Sequence, residues 1–297
     1  MTDSSWLWAL FTVIAAASQT VRNATQRGLT ATLGTAGATH VRFLFGLPFA
    51  IVFLAGVMLV AGEAIPRPPL VYWPWVLDGA LAQIAATALM LAAMNDRSFV
   101  VVYAYIKTEP VLVALFGLIF LGDKVTPLMA AAILIATAGV VIVALKPGAT
   151  MGLRATLLGV ASAGMFALSA IGFRGAILSL ALPSYVMAAT FTLVIGLVIQ
   201  VVLLSLFLRL RDPSALTAIV RSWRPSLLAG FMGALASQFW FLAFALATAA
   251  SVRTLALVEV LFAQAISTFV FRQATTRREA AGIALIVLGV ALLVWAY

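Results

Sequence analysis

The sequence predicts an all-α integral membrane protein with ten transmembrane helices, arranged as two inverted five-helix repeats. Three observations predict it: a composition too apolar for a water-soluble core, ten apolar runs near twenty residues long, and an internal correspondence at a spacing of 150 residues that pairs two intramembrane glutamates.

Hydrophobic residues make up 64% of the 297 positions and charged residues only 9%, with a mean hydropathy of +1.16. Soluble domains are about half apolar and a quarter charged. A chain this apolar needs hydrocarbon as its solvent. Inside a bilayer every amide must be paired within its own segment or in a closed barrel. The alternating pattern of barrel strands is missing, so the spans are helices. The absence of cysteine excludes disulfide frameworks, thiolate metal sites and cysteine nucleophiles. The net charge of +9 is spread over short segments between apolar runs rather than gathered in one patch. That distribution reads as membrane topology, with no nucleic-acid partner.

Hydropathy and helix breakers place the spans near Trp6–Thr25, His40–Ala61, Tyr72–Met94, Ser98–Leu121 and Pro127–Leu145, then Leu153–Leu178, Ser184–Leu208, Ser226–Ala247, Ala250–Phe271 and Arg278–Tyr297. Each is long enough to cross roughly 30 Å of hydrocarbon at about 1.5 Å per residue. The connections carry Pro66, Pro68, Pro69, Pro147, Gly148, Pro213 and Pro225, which interrupt helical hydrogen bonding. The first run has neither a basic leading segment nor an A-x-A cleavage site, so it reads as a retained helix rather than a signal peptide.

Basic residues set the orientation. Arg22, Arg27, Arg42, Arg97, Lys146, Arg154, Arg209, Arg211, Arg221, Arg224, Arg272, Arg277 and Arg278 fall on one side. Arg67, Lys124, Arg174 and Arg253 fall on the other, while Lys107 lies within a span. The positive-inside rule puts the richer side in the cytoplasm and both termini on the outer side of a bacterial-type inner membrane. Trp6, Trp8, Tyr72, Trp73, Trp75, Trp223, Trp295 and Tyr297 sit at span ends, where amphipathic rings favour the interface.

A shift of 150 residues aligns Trp73–Pro147 with Trp223–Tyr297 without a gap and pairs Trp73 with Trp223, Glu109 with Glu259, Thr126 with Thr276 and Gly139 with Gly289. The halves are residues 1–148 and 149–297. Five spans per half is an odd number, so the second half enters the membrane upside down. Inverted repeats provide two equivalent conformations open to opposite faces, with a site between the halves.

The stretch EPVLVALFGLIFLGDKVTPLMAAAILIATAGVVIVAL, from Glu109 to Leu145, resembles the end of an EamA repeat of the drug/metabolite transporter superfamily: a proline-bearing helix, a Gly-acidic turn and a helix rich in small residues. The second copy is similar but has Arg272 and Gln273 in place of Gly122 and Asp123, and Arg42 is similar to the arginine many members carry at the start of the second helix. The resemblance implies the ten-helix architecture and transport of small metabolites, amino acids among them.

Glu109 stands about eleven residues from either end of its span, roughly 16 Å from each surface. An acidic residue there costs about 2.5–3.5 kcal/mol on insertion scales, so it needs a partner or a wet cavity. Glu259 is nearly as deep. Both are candidate substrate ligands, for a substrate ammonium, and candidate proton-coupling groups. Pro110 removes the donor that would reach the Ile106 carbonyl and breaks the helix beside Glu109. Val260 occupies the corresponding place, so the kink is expected in the first half only. Tyr105 shares the Glu109 face at a spacing of four, and Lys107 points elsewhere, toward a partner such as Asp78. Gln19 and Asn23, Gln83 and Thr87, and Ser237, Gln238 and Trp240 add polar groups within spans. Gln19, Asn23, Gln83, Tyr105, Glu109, Gln238, Trp240 and Glu259 make up the predicted substrate site. Ala132 with Ala136, Ala163 with Ala167, and Gly282 with Gly289 allow helices to approach closely. His40 reads as a surface or capping residue.

A secondary transporter follows, exporting an amino acid or similar small polar metabolite by alternating access, with protons as a possible coupling ion. An uptake or exchange carrier and a passive channel are the alternatives. No Walker motif, HExxH or paired-aspartate motif is present, so neither enzymatic chemistry, nor a cofactor, nor a metal is expected. Lipid bilayer and solute are the expected partners, and the residues fit a monomer and a homodimer equally.

Overall fold

The computed structural model describes residues 6–96, 102, 105–144, 153–262, 264 and 276–296. Among them every regular element is helical. The elements are α1 (Leu7–Leu44), α2 (Leu47–Ala61), α3 (Tyr72–Asp96), α4 (Glu109–Phe116), α5 (Pro127–Ala144), α6 (Leu153–Ser179) and α7 (Tyr185–Arg211), then α8 (Pro213–Arg221), α9 (Trp223–Leu246), α10 (Ala249–Leu255) and α11 (Arg277–Ala296). A π turn at Gly117–Leu121 continues α4, and a 3-10 turn at Ala256–Val258 follows α10. Among the described residues six stretches are long and apolar enough to cross a bilayer: Gly28–Ala61, Tyr72–Met94, Leu153–Ser179, Tyr185–Arg211, Trp223–Leu246 and Arg277–Ala296. Shorter apolar helices lie at Glu109–Leu121 and Pro127–Val143. Leu59 and Val60 of α2 are 85% and 91% exposed, which water would penalise and lipid does not. The chain is an integral, multi-pass membrane protein.

The first two expected spans are longer than the hydropathy reading places them. Residues 26–39, read as a connection, are helical within α1 apart from Gly34 at φ 66° and ψ 178°. A straight helix would put Gln26 and Ala38 about 18 Å apart, yet the Gln26 amide donates to the Ala38 carbonyl at 2.8 Å. The chain therefore doubles back at Gly34, where a residue without Cβ adopts positive φ freely. The reversal leaves Arg22 inside a helical arm and Arg42 in the last turn of α1, before α2. Both are buried, as are Arg174 and Arg253, so these four leave the tally of loop charges, and the asymmetry between the two sides survives. Arg97, Lys146 and Arg272, the start of the fourth span, the end of the ninth and the Arg272–Gln273 turn lie outside the described residues, as does the side chain of Arg27.

The short α8 falls within the expected connection between spans seven and eight. Asp212 caps it by accepting from the Ala215 N–H at 3.3 Å, and Ala215 and Ile219 bury one face. Hydrogen bonds from Ser214 and Ala215 hold the Asp212 carboxyl below the usual carboxylate range. His40 is fully buried rather than at the surface, its Nε2 lying 3.0 Å from the Ser205 hydroxyl.

The most extensive helix pairings are α3 with α6, α1 with α9 and α5 with α11. The α5–α11 seam has no space for added atoms. A Cβ on Gly139 would stand 2.6 Å from the Gly282 carbonyl oxygen, and one on Gly289 would stand 2.7 Å from that of Ala132. These contacts interchange on a shift of 150 residues. The small residues singled out in the sequence thus permit a backbone approach that larger ones would block.

Candidate functional site

Glu109 begins α4 immediately after a break. The Thr108 and Val111 amides make turn-type bonds to the Tyr105 and Thr108 carbonyls, and Pro110, in the first turn, supplies no donor. Glu259 likewise follows a tight turn, at Ala256–Val258. The expectation of a break in the first half alone is corrected: Val260 does not prevent one, since a 3-10 turn needs no proline.

The two glutamates are met by cations from the opposite half. Arg253 Nε lies 3.0 Å from Glu109 Oε1, and Lys107 Nζ pairs with Glu259. Lys107 therefore engages the second half and not Asp78. All four side chains are buried. Arg253 also lies over the Trp240 ring at 4.4 Å from its centroid and 5.4 Å from that of Phe244. The quadrupole of those rings attracts the guanidinium. Trp240 in turn donates its Nε1 proton to Gln19 Oε1 at 3.1 Å.

Around this pair is a narrow cavity of about 20 Å³ lined by residues of α1, α3, α6 and α9 and of the two broken helices, among them Gln19, Arg22, Asn23, Arg42, Gln83 and Arg253. It has room for about one water. Arg22 donates from Nη2 to Asn23 Oδ1 at 2.7 Å, and Arg42 donates from Nη1 to Thr87 Oγ1 at 3.2 Å. Gln83 accepts from the Gln200 amide at 2.9 Å, which ties α3 to α7.

Of the predicted site, Gln19, Asn23, Gln83, Glu109 and Trp240 line this cavity. Glu259 stands just behind it, on Lys107. Tyr105 does not line this cavity: its hydroxyl accepts from Thr156 at 3.1 Å, because the break at residues 107–108 destroys the four-residue phase that would align it with Glu109. Gln238 also lies off this cavity. Its amide donates to Thr190 at 2.7 Å, and it borders a separate apolar groove of about 560 Å³ with Phe53, Val57, Val60 and Phe239. Sequence reasoning missed Arg22, Arg42, Arg253 and Lys107 as site residues. The first three had been assigned to loops or helix ends. Their places in the helical sequence become internal only once the turn at Gly34 and the start of α10 are known.

Away from the cavity lining, Arg174 of α6 donates from Nη1 to the carbonyls of Phe244 and Ala247, both at 2.5 Å, and from Nη2 to Asp123 Oδ1 at 3.2 Å. It caps the C-terminus of α9, where a cation is favoured.

Helices, buried charge and a small central cavity define a polytopic membrane protein with an ionised interior. Residues 5–145, a little under half of the chain, match the model of the EamA-like transporter family. No curated protein matches the chain. A crystal structure of a protein 16% identical to it superposes with a TM-score of 0.70, covering 98% of this chain and 96% of that one. At that identity the likeness is one of fold alone.

Proposed function

We propose that this chain is a secondary carrier that moves a small polar metabolite, an amino acid or related compound, across the cytoplasmic membrane by alternating access of residues 1–148 and 149–297. The observation that carries the reading is the crossed pairing of Glu109 with Arg253 and Glu259 with Lys107. Each half supplies one carboxylate at equivalent positions, and each is neutralised by the other half. Pairs of that kind hold the halves together in one state and must break or be exchanged when the halves move. The interchange of contacts at the Gly139 and Gly289 seam supports the inverted repeat, as do the α3–α6 and α1–α9 pairings, which are equivalent under it. A cavity with room for about one water favours a carrier over a standing pore.

In this reading Glu109 and Glu259 take up protons as their ion pairs open, which couples transport to protons, and export is the direction. The basic residues left in the connections support placing both termini outside. Purified protein in proteoliposomes should give saturable flux with exchange acceleration toward at least one member of a metabolite panel. Inside-out and right-side-out vesicles read the direction. Folded protein that moves no member of the panel would overturn the carrier reading.

A further inference from the structure

We infer that the solute is recognised through a carboxylate held by Arg42, with Arg22 beside it. The inference rests on the carrier reading and names the substrate class for that same cavity. A buried ion needs a counter-charge. Among the described residues the cavity and its rear wall bring together four cations, Arg22, Arg42, Lys107 and Arg253, and two carboxylates, Glu109 and Glu259. Both carboxylates already carry a cation, Arg253 and Lys107 respectively. In the paired state both answer a cation of the protein rather than a substrate ammonium.

Arg42 is the group that asks for an anion. It is 4% exposed. Of its guanidinium donors, one reaches the Thr87 hydroxyl, and the group lies 5.1 Å from the Phe43 ring centroid. No ion pair joins it to a carboxylate among the described residues. A guanidinium has five N–H donors in a planar fork that fits the two oxygens of a carboxylate. The stems of Arg42 and Arg22 run side by side over Gly233, where an added Cβ would meet Arg42 Cγ at 3.3 Å and Arg22 Cδ at 3.4 Å. Both arginines line the one cavity, together with the amides of Asn23 and Gln83. The cavity as it stands is too small for any organic solute, so the carboxylate enters when the halves separate and replaces the water there.

The test uses the full chain purified in detergent and titrated with propionate, lactate and succinate, beside propionamide, propylamine and sodium chloride. Thermal unfolding reads binding, and proteoliposomes read flux of labelled lactate and propylamine. The expected result is that at least one carboxylate raises the unfolding temperature while propionamide and propylamine do not. Arg42→Gln then weakens that carboxylate at least ten-fold, and Arg42→Lys, which keeps the charge and most of the stem, weakens it less. Should Arg42→Gln fail to fold, a loss of affinity in folded Arg42→Lys carries the same conclusion.

Binding or flux of propylamine without the acids would overturn the inference and leave the carrier reading standing. So would carboxylate affinity unchanged in both variants, or a chloride effect with which no carboxylate competes. Absence of binding and flux for all three carboxylates in folded protein would overturn the inference alone, and absence of flux across the wider metabolite panel would overturn the carrier reading with it.

Discussion

Glu109 and Glu259 occupy equivalent places 150 residues apart, follow equivalent breaks and face a cation from the other half, yet their surroundings differ. Glu109 lines the cavity with an arginine that rests on two aromatic rings. Glu259 is 2% exposed, lies off the cavity and is paired with a lysine whose charge is concentrated at one atom. The 150-residue correspondence fixes where a carboxylate stands, and the neighbours decide what its charge can do. Glu109 faces the cavity, whereas Glu259 meets it only through the lysine it holds.

The difference has measurable consequences. Glu259→Gln should give the largest loss of stability, about 3–5 kcal/mol, because it strands a buried ammonium. Thermal or denaturant unfolding in detergent would show it, and adding Lys107→Met should restore most of the loss. Glu109→Gln should cost less than half as much, since Arg253 keeps its aromatic contacts and its access to cavity water. In proteoliposomes the same variant should lose the pH dependence of flux. An equal stability loss in the two variants would erase the distinction. The α5–α11 seam provides the opposite control: its contacts interchange between halves, so Gly139→Val and Gly289→Val should each cost about 1–3 kcal/mol from overpacking and should match one another. Smallest is Trp240→Phe, which retains a ring for Arg253 and gives up the bond to Gln19, a loss of about 1 kcal/mol and a few-fold in solute affinity.

Much of the fold is legible from composition and breakers, because lipid demands apolar helices whatever the tertiary packing. The glutamates were legible for the same reason: a carboxylate in the middle of an apolar run is conspicuous. Their partners were not. Arg253 stands near a break in the apolar pattern and reads as an end charge, and Lys107 sits two residues from Glu109, where a regular helix turns it away. Only the pairing of the two broken helices brings Lys107 and Glu259 together. The turn at Gly34 was equally hidden, since a reversal made by one glycine leaves no proline or polar loop behind, and with it were hidden the depths of Arg22 and Arg42. Tyr105 and Gln238 lie off the cavity for local reasons: a broken turn changes the face that helical spacing gives Tyr105, and Thr190 of α7 engages the Gln238 amide.

Arg174 bears on how the segments it joins would separate. A single side chain grips the last carbonyls of α9 and, through Asp123, the segment between α4 and α5. Three acceptors share one clasp, so separating these segments strips them together rather than one by one. Movement of those segments would then be closer to a snap than a slide, with its threshold set by one guanidinium.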